Sequence, residues 1–243
     1  MEIIIEPTYD ALGERAAADL IAIATAHAAP LICPTSGSTP AALYRAMVRQ
    51  IQAQNIDYSQ WQFIGLDEWG GMNGKDAGSC RHFVDQELFE PLQISENRVY
   101  FFDGCAHNLQ NECEKAEAFI KKCGGLTIAT LGLGLNGHVG MNEPGTPVSL
   151  RSHVAKLAAE TQQVGQKYFT TQKELSHGVT LGLATMLDAK HIFLLANGAK
   201  KAAIVKRVVE EKESSSVPAT YLKQHPHFRM YLDSEAAQQL EGK

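Results

Sequence analysis

The sequence predicts an α/β fold in which a mainly parallel sheet carries helices on both faces, in three αβα layers. Short apolar runs alternate along the 243 residues with longer segments in which apolar residues recur every three or four positions. The run at residues 126–131 is apolar without strict alternation, which is typical of a strand buried on both faces. It ends in a glycine-rich turn, at the edge of the sheet where ligands bind in such folds.

The individual strands and helices follow from this alternation in chain order. Apolar or β-branched runs between turn residues predict strands at residues 3–5, 31–33, 62–66, 99–102, 126–131, 191–196 and 228–232. Apolar residues at helical spacing predict helices at residues 10–27, 40–54, 80–89, 108–123, 180–188 and 200–211. No linker rich in Pro or Ser divides the chain, so we expect a single domain over residues 1–243 with a Rossmann-like arrangement.

Composition limits the classes of partner and the compartment. The net charge is −5 and the basic residues are dispersed, so we expect no nucleic-acid partner. No apolar run approaches the roughly 18 residues that a membrane span requires, so we expect no membrane association. The amino terminus lacks the pattern of a secretory signal, and we therefore expect a cytoplasmic protein.

The five cysteines are odd in number and widely spaced, and they form neither a Cys-X-X-Cys pair nor a Cys/His cluster of zinc spacing. They stand at positions 33, 80, 105, 113 and 123. We therefore expect reduced thiols and no metal site.

The loop at residues 34–40 follows a short apolar strand and opens a helix. It offers the hydroxyl groups of Ser36, Ser38 and Thr39, while Gly37 permits close approach to the backbone. Hydroxyl groups and free N–H groups at the start of a helix suit an anion, which makes the loop a candidate phosphate site. The alternative is an ordinary capped helix start without a ligand, and no Gly-Lys-Ser/Thr follows as in a nucleotide-binding P-loop.

Three further loops carry polar groups at the ends of predicted strands. Asp67 and Glu68 end one strand, and because neighbouring strand residues face opposite sides, we expect one carboxylate in a cleft and the other capping a helix or pairing with a base. The turn after residue 131 carries His138 and Glu143, for which hydrogen-bonded scaffolding is the alternative. Lys201 lies early in a predicted helix, where a lysine meets either a phosphate or solvent. Such strand-end loops together suit a small sugar phosphate.

Three motifs resemble those of the glucosamine/galactosamine-6-phosphate deaminase–isomerase family. They are Leu-Asp-Glu-Trp at residues 66–69, Leu-Gly-Leu-Gly-Leu-Asn-Gly-His-Val-Gly-Met-Asn-Glu-Pro-Gly at residues 131–145, and Gly-Ala-Lys-Lys at residues 198–201. The likeness spans essentially the whole chain. It implies an enzyme that converts a hexosamine 6-phosphate and water to a ketohexose 6-phosphate and ammonia, without metal or organic cofactor. Trp69 and the glycine-rich turn resemble the galactosamine-6-phosphate subgroup slightly better.

The resemblance also implies roles for single residues. Asp67 resembles the base that moves a proton between C2 and C1, His138 the group that opens the sugar ring, and Glu143 its partner. The loop formed by Ser36, Gly37, Ser38 and Thr39 would hold the 6-phosphate together with Lys167 and Lys201. Asn136 is a further candidate catalytic residue and stands where some members of the family carry an aspartate beside the histidine, although others carry asparagine. Lys167 stands where an arginine often contacts the phosphate, and a lysine lacks the bidentate fork of arginine.

Two other functions remain open on the sequence. The loop at residues 35–39 is one residue longer than the usual deaminase form and resembles the 6-phosphogluconolactonases, which favours a hydrolase acting on a phosphosugar lactone. The departures at Asn136 and Lys167 suit a sugar-phosphate sensor without turnover. The expected partner is in each case a small sugar phosphate, and a homo-oligomer is compatible with the sequence.

Overall fold

The computed structural model describes residues 1–241 and contains two sheets. The strands in chain order are β1 (Glu2–Glu6), β2 (Leu31–Cys33), β3 (Gln62–Ile64), β4 (Asp67–Trp69), β5 (Val99–Tyr100), β6 (Ile128–Gly132), β7 (His153–Lys156), β8 (His177–Thr180), β9 (His191–Ala196) and β10 (Phe228–Asp233). The main sheet has the order β1-β10-β9-β6-β2-β3-β5, and all of its pairs are parallel. The predicted mainly parallel sheet is therefore confirmed.

Helices cover both faces of this sheet. They are α1 (Tyr9–Thr25), α2 (Ala41–Gln54), α3 (Cys80–Val84), α4 (Leu109–Lys122), α5 (Ala159–Gly165), α6 (Leu183–Leu187) and α7 (Ala202–Glu210). A π-helical turn at Asp85–Phe89 continues α3, so both together fill the predicted helix at 80–89. Short 3-10 segments lie at Glu96–Arg98, Gln166–Tyr168, Ala199–Lys201 and Pro218–Gln224. None of the helices formed by residues 1–241 is both long and apolar enough to cross a bilayer.

Successive side chains of each strand point to opposite faces of the main sheet, so the hydrophobic core has two parts. On one face α1, α2 and the π-helical turn pack on side chains such as Ile32, Phe63 and Ile128. On the other face α4, α6 and α7 pack on the neighbouring positions, such as Cys33 and Ala129. Burial of these apolar surfaces from both sides holds the three αβα layers together.

The second sheet was missed by the sequence prediction. It is antiparallel, has the order β4-β8-β7, and consists of strands of three or four residues. In this sheet Asp67 of β4 pairs with Thr180 of β8. The predicted helix at 180–188 is wrong at its start, because Thr180 ends β8 and the helix begins only at Leu183, after an extended Gly182. Such short strands show no alternation over a useful length, and their partners are distant in the chain.

Four histidines cluster at the amino-terminal edge of the main sheet. The ring centroid of His191 lies 5.1 Å from that of His227 and 6.5 Å from that of His27, and His225 lies 6.3 Å from His227. Burial, followed by repulsion from His227 and Arg229, lowers the pKa of His191 to about 4. The folded protein therefore binds fewer protons here than the unfolded chain does.

We expect this cluster to make stability fall with acid. Since the unfolded pKa of histidine is about 6.5, the stabilisation is complete above that pH and is lost as the pH falls towards 4. Urea unfolding of the wild type at pH 7.5 and pH 5 measures the decrease in the free energy of unfolding. This decrease should be smaller in His191→Asn. His107→Asn, at an exposed histidine, is the control; an equal acid sensitivity of wild type and His191→Asn would contradict the expectation.

Candidate active site

A cleft of about 950 Å³, including solvent at its mouth, opens at the carboxyl edge of the main sheet. The order of the strands reverses at β2 and β6, and the loops that follow these two strands form two walls of the cleft. Residues 35–40 come from the first loop, and residues 133–138 from the second. The cleft thus brings together the strand-end loops that were separate in the sequence.

The carboxylate of Asp67 lies in the wall of this cleft. Pairing of β4 with β8 fixes the backbone of Asp67 opposite Thr180, and the side chain is almost wholly buried. Its Oδ1 atom has no hydrogen-bond partner. Burial raises the pKa of Asp67 to about 6, so this carboxylate is ionised at neutral pH and yet more basic than an exposed one.

Glu68 faces away from the cleft and caps a helix, as the alternation of strand residues predicts. Its Oε1 accepts hydrogen bonds from the backbone N–H groups of Trp69 and Cys80, both at 2.9 Å. Its Oε2 accepts the N–H of Arg81 at 3.0 Å. The side chain is fully buried, so it fixes the start of α3 against β4.

Replacement of Glu68 is expected to act through stability. Glu68→Ala leaves three N–H groups of the protein without their acceptor and should lower the free energy of unfolding by about 3 kcal/mol or more. Urea denaturation measures the loss, with Glu114→Ala on an exposed turn of α4 as control. A variant of unchanged stability that lost activity alone would contradict this role.

His138 is connected to Glu143 through Asn136. The Oδ1 atom of Asn136 lies 2.7 Å from Nδ1 of His138 and accepts the backbone N–H of the same residue at 3.1 Å. The Nδ2 atom of Asn136 donates to Oε2 of Glu143 at 2.9 Å, while that oxygen lies 3.6 Å from Nδ1 of His138. Asn136 and His138 line the cleft, and the largely buried Glu143 lies behind them.

This arrangement determines the tautomer of His138. A backbone N–H must donate to Asn136, so the amide oxygen and not its nitrogen faces the imidazole. Nδ1 is then the protonated nitrogen, which leaves the lone pair on Nε2. Burial lowers the pKa of His138, since the opposing effect of Glu143 is smaller and Lys201 adds to the shift. His138 is therefore a neutral imidazole of fixed tautomer at neutral pH.

Hydroxyl groups and two lysines also line the cleft. Ser36, Gly37, Ser38 and Thr39 line it just before α2, and Gly37 has a φ of +119°, which favours glycine. The hydroxyl of Thr39 already donates to Asn197 at 2.8 Å.

Lys167 and Lys201 face the same space as these hydroxyl groups. Burial lowers the pKa of Lys201 to about 8, with repulsion from Lys167 as the next cause. The residues predicted to hold a phosphate thus line the same cleft as Asp67 and His138.

Several cleft residues were not predicted from the sequence. Thr161 comes from α5, a helix with no clear apolar spacing, and its hydroxyl lies 3.4 Å from Nδ1 of His138. Tyr168 follows the predicted Lys167, and Cys80 opens α3 directly after its capping serine. Among these residues, only Cys80 had a local sequence pattern, the capping serine before it, which predicts the start of a helix. Residues 1–241 contain no group of three or more His, Cys, Asp or Glu side chains arranged to hold a metal ion.

Comparison with known proteins gives consistent similarities over nearly the whole chain. Residues 6–231 match the model of the family described as glucosamine-6-phosphate isomerases/6-phosphogluconolactonase. The glucosamine-6-phosphate deaminase of Shouchella clausii is 34% identical, over 98% of this chain and 96% of the relative. The putative deaminase AgaI of Escherichia coli is 36% identical, over 90% of this chain and 87% of the relative.

Solved structures agree with these relatives. A monomeric glucosamine-6-phosphate deaminase superposes with a TM-score of 0.95 at 30% identity, over 99% of this chain and all of the other. The 6-phosphogluconolactonase of Trypanosoma brucei superposes with a TM-score of 0.76 at 20% identity, over 98% of both chains. The second likeness shows a shared fold.

Proposed function

The chain belongs to the family of glucosamine-6-phosphate isomerases and 6-phosphogluconolactonases, and from this premise we propose that it is an amino-sugar 6-phosphate deaminase. It takes a hexosamine 6-phosphate and water and releases a ketohexose 6-phosphate and ammonia. One observation carries the proposal: a buried carboxylate and a neutral imidazole line the same cleft as two lysines and a hydroxyl-rich loop.

The imidazole of His138 suits the opening of the sugar ring. With Nδ1 occupied by Asn136, the Nε2 atom takes the proton from the C1 hydroxyl and returns it to the ring oxygen. The C1–O5 bond breaks, and the aldehyde forms at C1. Because the proton taken is also the proton returned, His138 ends the step in its original neutral state.

Asp67 suits the proton transfer that follows. The carboxylate of Asp67 removes the proton from C2, the electron pair of that bond forms the C1–C2 double bond of an enolamine, and the π electrons of the C1 carbonyl move to O1. The same proton is then delivered to C1, and one proton of the amino group passes to O1, which leaves a hydroxyl group at C1 and a neutral imine at C2. Water adds to this imine, the C2–N bond breaks, and ammonia leaves as the C2 carbonyl forms. A pKa of about 6 makes the carboxylate ionised but basic at neutral pH.

The lysines and the hydroxyl loop suit the 6-phosphate, which takes no part in the chemistry. Contacts to this group hold C1 and C2 opposite Asp67 and His138, so its binding energy serves orientation. Lys201 also donates to the carbonyl oxygen of Leu133, which fixes the ammonium group at the edge of the cleft.

Lys201→Ala is expected to raise KM by about tenfold or more with a smaller change in kcat, because it removes a charged hydrogen bond to the phosphate. Steady-state kinetics measure the change, and the exposed neighbour Lys200→Ala is the matched control. Since the pKa of Lys201 is about 8, we also expect the KM of the wild type to increase as the pH rises above 8. Equal KM values for the two variants would exclude Lys201 from the phosphate site.

Of the two common hexosamine 6-phosphates, we propose galactosamine 6-phosphate as the better substrate, on the likeness of Trp69 and the glycine-rich turn to that subgroup. Ammonia release from each epimer, with hydrolysis of 6-phosphogluconolactone followed in parallel, tests substrate and reaction together. A higher kcat/KM for galactosamine 6-phosphate supports the choice. Lactone hydrolysis without ammonia release would replace the deaminase by a lactonase, and binding without any product would indicate a sensor.

A further inference from the structure

A tyrosine at the start of α1 is bonded to the hydroxyl loop at residues 36–39 and to the helix that follows this loop. The hydroxyl of Tyr9 donates to the carbonyl oxygen of Ser38 and accepts the N–H of Ala42 at 3.0 Å. Ser38 belongs to the hydroxyl loop, and Ala42 lies in the first turn of α2. One side chain of α1 therefore connects the loop to α2.

Close packing of α1 on α2 brings Tyr9 to this position. Gly13 follows Tyr9 by four residues, so both residues lie on the same face of α1. A Cβ atom at Gly13 would lie only 2.6 Å from the carbonyl carbon of Ala42, so the absence of a side chain allows the two helices to touch here. The position of the Tyr9 hydroxyl relative to the loop is thus determined by the packing of two helices.

A second tyrosine holds the other end of the loop in a similar way. The hydroxyl of Tyr44, one turn into α2, accepts the N–H of Thr35 at 2.8 Å and donates to the carbonyl oxygen of the same residue at 2.7 Å. Tyr44 and Thr35 are both buried. The hydroxyl loop is therefore anchored by one tyrosine hydroxyl at Thr35 and by another at Ser38.

These bonds determine the direction of two backbone N–H groups of the loop. In a trans peptide the C=O of one residue and the N–H of the next point in opposite directions, and residues 1–241 contain no cis peptide bond. The carbonyl of Ser38 points at Tyr9, so the N–H of Thr39 points away from it. In the same way, Tyr44 turns the N–H of Ser36 away from itself.

The N–H groups of the hydroxyl loop are available to a ligand. None of the four has a hydrogen-bond acceptor among residues 1–241, whereas the side-chain hydroxyl of Thr39 already donates to Asn197. Successive backbone N–H groups before a helix form a favourable site for an anion. Their use depends on a loop conformation that keeps them together, and the two tyrosine hydroxyls hold this conformation.

We propose that Tyr9 is a positioning residue for the phosphate group: its bonds to Ser38 and Ala42 hold the hydroxyl loop so that the N–H groups of the loop bind one phosphate ester. The inference rests on the proposed function, since it concerns the 6-phosphate of that substrate. Tyr9 itself lies outside the lining of the cleft and touches no reacting atom. It acts on the binding of the phosphate and thereby on the orientation of the sugar.

Tyr9→Phe tests this role, because it removes the hydroxyl and keeps the ring. Tyr9 is half-buried and Ser38 is exposed, so we expect the variant to fold. KM for the hexosamine 6-phosphate should rise about 2- to 10-fold, the effect of one neutral hydrogen bond, with little change in kcat. The dissociation constant of inorganic phosphate, measured by calorimetry, should rise by the same factor. Tyr58→Phe is the matched control, since Tyr58 is also half-buried and donates to a backbone carbonyl outside the cleft.

Amide NMR locates the effect without turnover. Inorganic phosphate should shift the amide signals of Gly37 and Ser38 in the wild type and in Tyr58→Phe, and higher concentrations should be needed in Tyr9→Phe. If Tyr9→Phe kept the KM and the phosphate affinity of the wild type, with or without a lower kcat, the role of Tyr9 would be overturned. A wild type that releases no ammonia while phosphate affinity still falls in Tyr9→Phe would overturn the proposed function and leave the role of Tyr9 in phosphate binding established.

Discussion

Asp67→Asn is expected to reduce kcat by about 10³-fold, within the range that loss of a general base produces, while KM changes little. The amide has nearly the volume of the carboxylate but cannot accept a proton from C2. The substitution leaves unchanged the two lysines that we propose as phosphate ligands, Lys167 and Lys201. The loss should therefore appear in the chemical step and not in binding.

Steady-state kinetics and a direct binding measurement with the product separate these two effects. Asp10→Asn, at an exposed position in the first turn of α1, is the control for a change of charge. In the wild type, activity should fall as the pH drops below about 6, because Asp67 then becomes protonated. Turnover of Asp67→Asn at a rate near that of the wild type would remove Asp67 from the mechanism.

His138→Gln is expected to lower kcat/KM by about 100-fold, because the closed ring then opens without a proton shuttle. Part of the rate should remain, since open-chain sugar also forms slowly in solution. Asn136→Ala should cause a smaller loss of the same kind, because it frees the imidazole to adopt the other tautomer and breaks the link to Glu143. Kinetics at several pH values measure both variants. A larger effect for Asn136→Ala than for His138→Gln would contradict the proposed shuttle.

The departure at Asn136 has a structural explanation that the sequence could not supply. The family resemblance indicates only that an amide stands beside His138 where some members carry a carboxylate. The hydrogen bonds show that this amide both fixes the imidazole and passes the contact on to Glu143. The direction of the amide depends on the backbone N–H of His138, which a pattern of residues does not reveal.

The parallel sheet and its long helices could be predicted because the spacing of apolar residues within each element is regular and can be seen in a short stretch of sequence. Strand β6, for example, lies at residues 128–132, close to the predicted 126–131. The antiparallel sheet of β4, β8 and β7 could not, since its strands have only three or four residues and β4 pairs with β8 more than 100 positions away. Its absence from the prediction matters for the site, because the pairing of β4 with β8 determines where Asp67 lies.

Residues that reach the cleft only through tertiary packing could not be predicted from the sequence either. Lys167 could be assigned from its place in a motif, whereas Cys80 and Thr161 reach the cleft only through the packing of α3 and α5. A lone thiol or hydroxyl at a helix start has the same local pattern whether it faces a cleft or the core. Only the tertiary contacts distinguish the two cases.

One measurement tests the central claim most directly: the amounts of ammonia and ketohexose 6-phosphate formed from galactosamine 6-phosphate by the wild type and by Asp67→Asn. We expect the wild type to form the two products in equal amounts and Asp67→Asn to form both at an initial rate about 10³-fold lower. Absence of ammonia with the wild type on this substrate and on glucosamine 6-phosphate would contradict the account, as would equal product formation by the variant.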